Sequence, residues 1–279
     1  MASMNLPIHV PPDANPEHLL RFVETLDEHP ELSVETIADL TGFLASEGLS
    51  TRTEVQQAAV QLGLLGRADN GIKLTPLGCS LIQLKETIRK DILHFLFYTG
   101  WRSEVPNEFL PSWAYRAVCD DYWARQQVEL ERTFLDRRIS EIVSQTEQYF
   151  RGIGIVDFNE VSFGRKSLTG VHKWLEVLDP PVIEDNVFTR RSFCPPELLL
   201  LAMGWVVGRE GLPDTDVLLS HETREAICRV CLLEPTAFDR ALDWMIPIFP
   251  QVIAPGTTAG FYGRFVRLHK LPELVDVIR

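Results

Sequence analysis

Leu64-Leu65-Gly66-Arg67-Ala68-Asp69-Asn70-Gly71-Ile72-Lys73-Leu74-Thr75-Pro76-Leu77-Gly78 is the stretch on which the reading of the fold turns. Asn70-Gly71 offers two residues that tolerate positive φ, which a tight hairpin turn demands, and short strands flank it. Thr75 and Pro76 then start a helix, because Thr caps and Pro is already set for the first turn. Working back, Thr51 and Glu54 have capping-box spacing, and Val55, Ala58, Ala59 and Leu62 recur at i, i+3, i+4 and i+7. Ser33 caps an earlier segment carrying Ile37, Leu40 and Leu44, which stops near residues 42–48. Asn15 and Pro16 open a first helix with Leu19, Val23 and Leu26 on one face. The predicted order is helix, helix, helix, hairpin, helix.

This pattern resembles the winged helix-turn-helix superfamily over residues 15–97: the Leu62-Gly63-Leu64-Leu65 run ends a recognition helix, and the Gly71–Gly78 stretch with Leu74-Thr75-Pro76 forms the wing and the return to a helix. The resemblance implies a recognition helix at 51–65 and a wing at 67–73. It implies either of two functions, since the superfamily holds DNA-binding regulators and modules that bind only proteins. The outward side of that helix carries Thr53, Glu54, Gln57, Val60, Gln61 and Leu64, with Arg52 and Gln56 at one edge. Arg52, Gln56, Gln57 and Gln61 are the types that read base edges, and Arg67 and Lys73 on the wing would hold phosphates. Glu54 would repel phosphate, and Val60 and Leu64 favour a protein partner.

Residues 98–111 read as a loop. From about 112 to 150, Val128, Leu135, Ile142 and Tyr149 recur every seven residues, which fits one amphipathic helix or two in series and makes Val128, Leu135 and Ile142 a candidate protein or homodimer interface together with Val60 and Leu64. Residues 151–194 turn Gly-rich and read as irregular. The run 163–174 holds Arg165, Lys166 and Lys173 with no acidic residue, and with Arg190 and Arg191 it is the candidate phosphate-contact cluster.

Helical grammar returns at Pro195. Ser220 caps one helix, Pro235 starts another, and Phe238, Ala241, Leu242 and Met245 repeat the spacing of the first recognition helix. A second hairpin, 251–254 against 261–268, would present Arg264, Arg267 and Lys270. Residues 195–270 thus read as a second, divergent winged-helix-like module. The alternative is a generic helical domain ending in one hairpin. The expected fold is mainly α with small β-hairpins, two winged-helix-like modules joined by a helical connector, divided as 1–100, 101–150, 151–194 and 195–279.

Composition constrains function. The chain has 279 residues, 45% hydrophobic and 24% charged, with a formal net charge of −12, so disorder is excluded and a global Lys/Arg surplus is absent. Only 151–194 escapes the acidic bias, with 6 basic and 6 acidic side chains. No apolar run reaches the roughly 20 residues of a membrane helix and the N-terminus does not read as a signal peptide, so a cytoplasmic protein with no membrane partner is expected. Five cysteines without a framework predict reduced thiols. Cys228 and Cys231 form a C-x-x-C inside an apparent helix and read as core thiols rather than zinc ligands. No phosphate loop, nucleophile elbow, H-E-x-x-H or dinucleotide fingerprint occurs, and no cofactor is implied. The expectation is a non-catalytic DNA-binding protein, a transcription regulator or a subunit of a bacterial multi-protein system on double-stranded DNA. The alternative is an adaptor that binds partner subunits.

Overall fold

The computed structural model describes residues 4–29, 53–68, 71–106, 108–155, 158–208, 214, 216–256 and 263–278. β1 (Met4–Leu6) leads to α1 (Pro16–Glu28), where the Asn15 side chain accepts from the His18 amide at 3.1 Å and Pro16 sits in the first turn. α2 (Thr53–Gln61) is followed by the antiparallel hairpin of β2 (Leu65–Ala68) and β3 (Gly71–Leu74), then by α3 (Pro76–Gln83). Thr75 caps α3, its hydroxyl accepting from the Gly78 amide at 3.1 Å while donating to the Gly63 carbonyl at 2.6 Å. The expected segment at 33–48, Thr51 and Arg52 lie outside the described residues.

Two boundaries differ from expectation. α2 stops at Gln61, not Leu65, because Gly63 is left-handed at φ 74° and the Leu64 amide turns back to the Ala59 carbonyl at 2.9 Å. The hairpin pairs Ala68 with Gly71, so Gly71 belongs to β3 and not to the turn, and Asn70 lies outside the described residues.

α4 (Glu86–Thr99) and α5 (Leu110–Arg125) follow, then β4 (Gln127–Glu129) and α6 (Arg132–Gly152). The seven-residue repeat is therefore broken: Gln126 at φ 70° ends α5, and Val128 lies in a strand opposite Phe188. β5 (Phe158–Val161) runs parallel to β1. Next comes α7 (Arg165–Leu175), where an irregular segment was expected. Leu168, Val171, Trp174 and Leu175 form its buried stripe, and the Trp174 indole donates to the Ala14 carbonyl at 2.9 Å. Gly164 serves as the N-cap, where glycine is tolerated, and Gly170, unfavourable by propensity inside the helix, packs against Val10. β6 (Ile183–Glu184) and β7 (Val187–Thr189) complete a three-stranded sheet of order β4-β7-β6.

The last part comprises α8 (Pro196–Val207), β8 (Asp216–Leu218), α9 (His221–Cys231), α10 (Phe238–Met245), β9 (Ile253–Pro255) and β10 (Phe265–Leu268). Short 3-10 turns occupy Pro235–Ala237, Ile246–Ile248 and Leu274–Val277. The Ser220 hydroxyl caps α9 by accepting from the Thr223 amide at 3.1 Å. The strands form an antiparallel sheet of order β8-β10-β9. The chain is thus mainly helical with small sheets, and its buried apolar residues form one cluster from Leu6 to Val277.

α4 is central, packing on α1, α3, α5, α8 and α9. It buries two polar side chains with Ile92, Leu93 and Phe97. His94 Nε2–H donates to the Val230 carbonyl at 2.8 Å, which leaves Nδ1 to accept from the Tyr115 hydroxyl at 2.6 Å. Burial lowers its pKa to about 3, so the ring is neutral. Asp91 meets Arg191 Nη1 at 2.6 Å with both side chains fully buried, and Arg191 Nε donates to the Cys231 carbonyl at 2.7 Å. Both polar contacts fasten α4 to α9.

Candidate functional site

The residues expected to contact phosphate and bases do not form one basic surface. Arg191 is internal, spent on Asp91. Arg190 sits over the Trp123 ring at 4.0 Å, donates to the Trp123 carbonyl at 2.7 Å and approaches Glu234 at 3.4 Å. Arg165 grips Asp136 with two bonds of 2.7 and 2.6 Å, and that pairing raises the guanidinium pKa and lowers the carboxyl. Arg264 is held between Asp239 and Asp243, Arg267 meets Asp216 at 2.9 Å, and Lys270 contacts Asp276. Lys73 and Lys166 are exposed and Lys173 is half-buried. Arg67 lies in β2.

On α2, Gln57 and Gln61 are exposed and Gln56 is half-buried. Glu54, Gln57 and Gln61 line a groove of about 380 Å³ whose other walls are Pro7, His9, Pro11, Phe109 and Pro111. The expected reading face therefore looks onto the chain's own N-terminal segment. In that groove the His9 ring bonds the Ser167 hydroxyl at 2.6 Å, and burial lowers its pKa, with help from Lys166.

The expected interface residues also divide. Val60 is 36% exposed and Leu135 is half-buried, but Leu64, Val128 and Ile142 belong to the core, which removes them from any surface. On a helix running to Leu65, the Leu64 side chain would face outward. The end of α2 at Gln61 turns it inward.

The structure brings forward a different apolar surface. Trp244 of α10 is 62% exposed and meets Phe193, 39% exposed, edge-to-face with centroids 5.8 Å apart. Asp239, Asp243 and Arg240 flank the indole on the same helix, and Arg240 donates to the Ser192 carbonyl at 3.0 Å. The sequence held a signal for this: the buried stripe of Phe238, Ala241, Leu242 and Met245 leaves Trp244 on the polar side of α10.

A second feature is an open cleft of about 940 Å³ between α4, α5, α6, α8 and α9. Tyr98 donates to Asp120 Oδ1 in its lining, and burial pushes the Asp120 carboxyl up against the opposing pull of Arg229 and Arg116. Trp113 and Tyr149 stack at 4.3 Å and 28°, and Trp205 stands edge-on to Tyr98 at 6.1 Å. Gln145 and Gln148 of α6 complete the lining. Among the described residues no group of three or more His, Cys, Asp or Glu is arranged to hold a metal ion. Cys194, Cys228 and Cys231 are buried free thiols.

A scan of family models, a search of curated proteins and a search of solved structures each return no match to this chain.

Proposed function

We propose that this chain is a protein-docking subunit built on winged-helix-like modules, and that the Trp244 face of its C-terminal part engages a partner protein. Residues 196–268 run helix, strand, helix, helix, strand, strand with sheet order β8-β10-β9, an arrangement that supports the winged-helix-like reading, in which α10 takes the place of the recognition helix. Residues 16–83, where described, supply a helix, a second helix, a hairpin and a further helix.

The observation that carries the reading is what α10 presents outward. A helix meant for a DNA groove needs donors facing phosphate and base edges. Here two carboxylates flank a large exposed indole, and Arg264, the nearest wing cation, is neutralised by them. Trp is among the residue types enriched at the energetic centres of protein interfaces. With a net charge of −12, the chain steers toward a partner whose apolar pocket has a Lys/Arg rim. The DNA reading draws less support, because six of its candidate cations already have carboxylate partners.

The test has two arms. A gel-shift series on random duplex DNA at low salt is expected to show no band below about 10 μM protein, since non-specific DNA binders reach that range even at physiological salt. A photo-crosslinking amino acid at position 244, expressed in the native cell, is expected to capture one protein rather than nucleic acid. Trp244→Glu is then expected to weaken the reconstituted pair about 100-fold. A salt-dependent DNA shift weakened by Arg264→Glu would overturn the proposal.

A further inference from the structure

The docking face leaves the cleft of about 940 Å³ without a role. We infer that this cleft binds a nucleoside phosphate. The inference does not depend on the docking reading, because the two sites share no residue.

The cleft brings three chemistries into one volume. Ring faces and edges come from Trp113, Tyr149 and Trp205, the surfaces on which a heteroaromatic base stacks. Hydrogen-bonding groups come from Gln145 and Gln148, whose amides bond no other described side chain or backbone group, and from Asp120, whose second oxygen has no partner among the described residues. Such planar amide and carboxylate groups match a base edge or vicinal ribose hydroxyls. Two guanidinium groups complete the set. Arg116 lies 5.1 Å from the Trp101 ring and 5.9 Å from Trp113, and Arg229 lies 5.1 Å from Trp123 while one of its terminal nitrogens holds Glu225 at 3.1 Å. The Arg229 Nε–H is buried without a hydrogen-bond partner among the described residues, an unspent donor beside the cleft.

Size and charge choose among ligand classes. About 940 Å³ is at the upper end of cavities for cofactor-sized ligands, far more than a free amino acid fills. A neutral sugar would use the amides and bring no charge to meet the positive potential of Arg116 and Arg229. Asp121, the remaining carboxylate in the lining, is already taken by Arg125 at 3.1 Å and Arg138 at 2.9 Å, so it does not repel a phosphate as a free charge. A nucleoside phosphate uses every element: base on the aromatic wall, base edge or ribose against the amides and Asp120, phosphate toward Arg116 and Arg229.

Titration calorimetry of the full chain with AMP, ADP, GMP, GDP, CMP and UDP, read in parallel by tryptophan fluorescence, tests this. At least one nucleotide is expected to saturate with Kd below about 1 mM, the matching nucleoside to bind about ten-fold more weakly, and Gln148→Ala and Arg229→Gln each to raise Kd about ten-fold. Gln148 is exposed, so its variant keeps the fold, and Gln57→Ala in the separate groove is expected to leave Kd unchanged. No saturation by any of the six, equal affinity for nucleoside and nucleotide, or saturation by arginine or glucose in their place would overturn the inference.

Discussion

Replacing Arg191 separates a structural role from a nucleic-acid role more sharply than any other change. In Arg191→Met the fully buried Asp91 carboxylate loses its partner at 2.6 Å, keeping only the Asp179 amide at 3.2 Å, and the Cys231 carbonyl loses its 2.7 Å donor. Leaving one buried charge uncompensated costs about 3–5 kcal/mol. At about 2.1 cal/mol/K per residue over 279 residues, a loss of ~4 kcal/mol lowers Tm by roughly 7 °C. Urea unfolding followed by circular dichroism, with calorimetry alongside, measures both quantities. The companion variant is Asp91→Leu combined with Arg191→Met, which removes both desolvation costs. It is expected to recover most of the loss, because an apolar pair of similar volume often matches or exceeds a buried ion pair. A loss under about 1 kcal/mol in the single variant, or a double variant no better than either single one, would refute the reasoning.

Acidification should destabilise the fold through the buried His94, with its pKa lowered to about 3, and the half-buried His172, lowered to about 4 by loss of solvent. Both folded values lie below the ordinary 6.5, so the unfolded chain binds more protons; the contribution is complete above pH 6.5 and is lost as pH falls toward 4 and 3. At pH 5 each costs about 2 kcal/mol at 1.36 kcal/mol per pH unit, and urea midpoints that stay flat between pH 7 and 5 would contradict this. Gly170→Ala would put a Cβ 2.2 Å from the Val10 carbonyl oxygen, forcing α7 away from the N-terminal segment at a cost of about 1–3 kcal/mol, seen as a lower Tm. Leu64→Asp should cost at least about 3 kcal/mol in the same assay by burying a charge, whereas Val60→Asp, four residues earlier at 36% exposure, should cost less than about 1 kcal/mol. Trp244→Ala should leave stability within about 0.5 kcal/mol of the parent chain while abolishing the docking contact.

What the sequence determined by itself is what a few neighbouring residues decide among themselves. Asn15, Thr75 and Ser220 cap the helices they were expected to cap, because each hydroxyl or amide needs only a backbone amide three residues on. The stripe of Phe238, Ala241, Leu242 and Met245 is buried because helical period alone aligns it. The hairpin before Thr75 forms where expected, with Gly71 in the strand and not in the turn.

Tertiary structure decided the rest, through partners far apart in the chain. Arg165 and Arg191 look identical as letters in a basic stretch, yet one meets Asp136 on the surface and the other meets Asp91 in the core. Nothing local distinguishes them, since the pairings span 29 and 100 residues. Gly170 weakens a helix by propensity, and α7 forms because the missing side chain lets it lie against Val10. The aromatic cleft is assembled from five helices, so its residues became a site only when packing closed distances that spacing in the sequence leaves open.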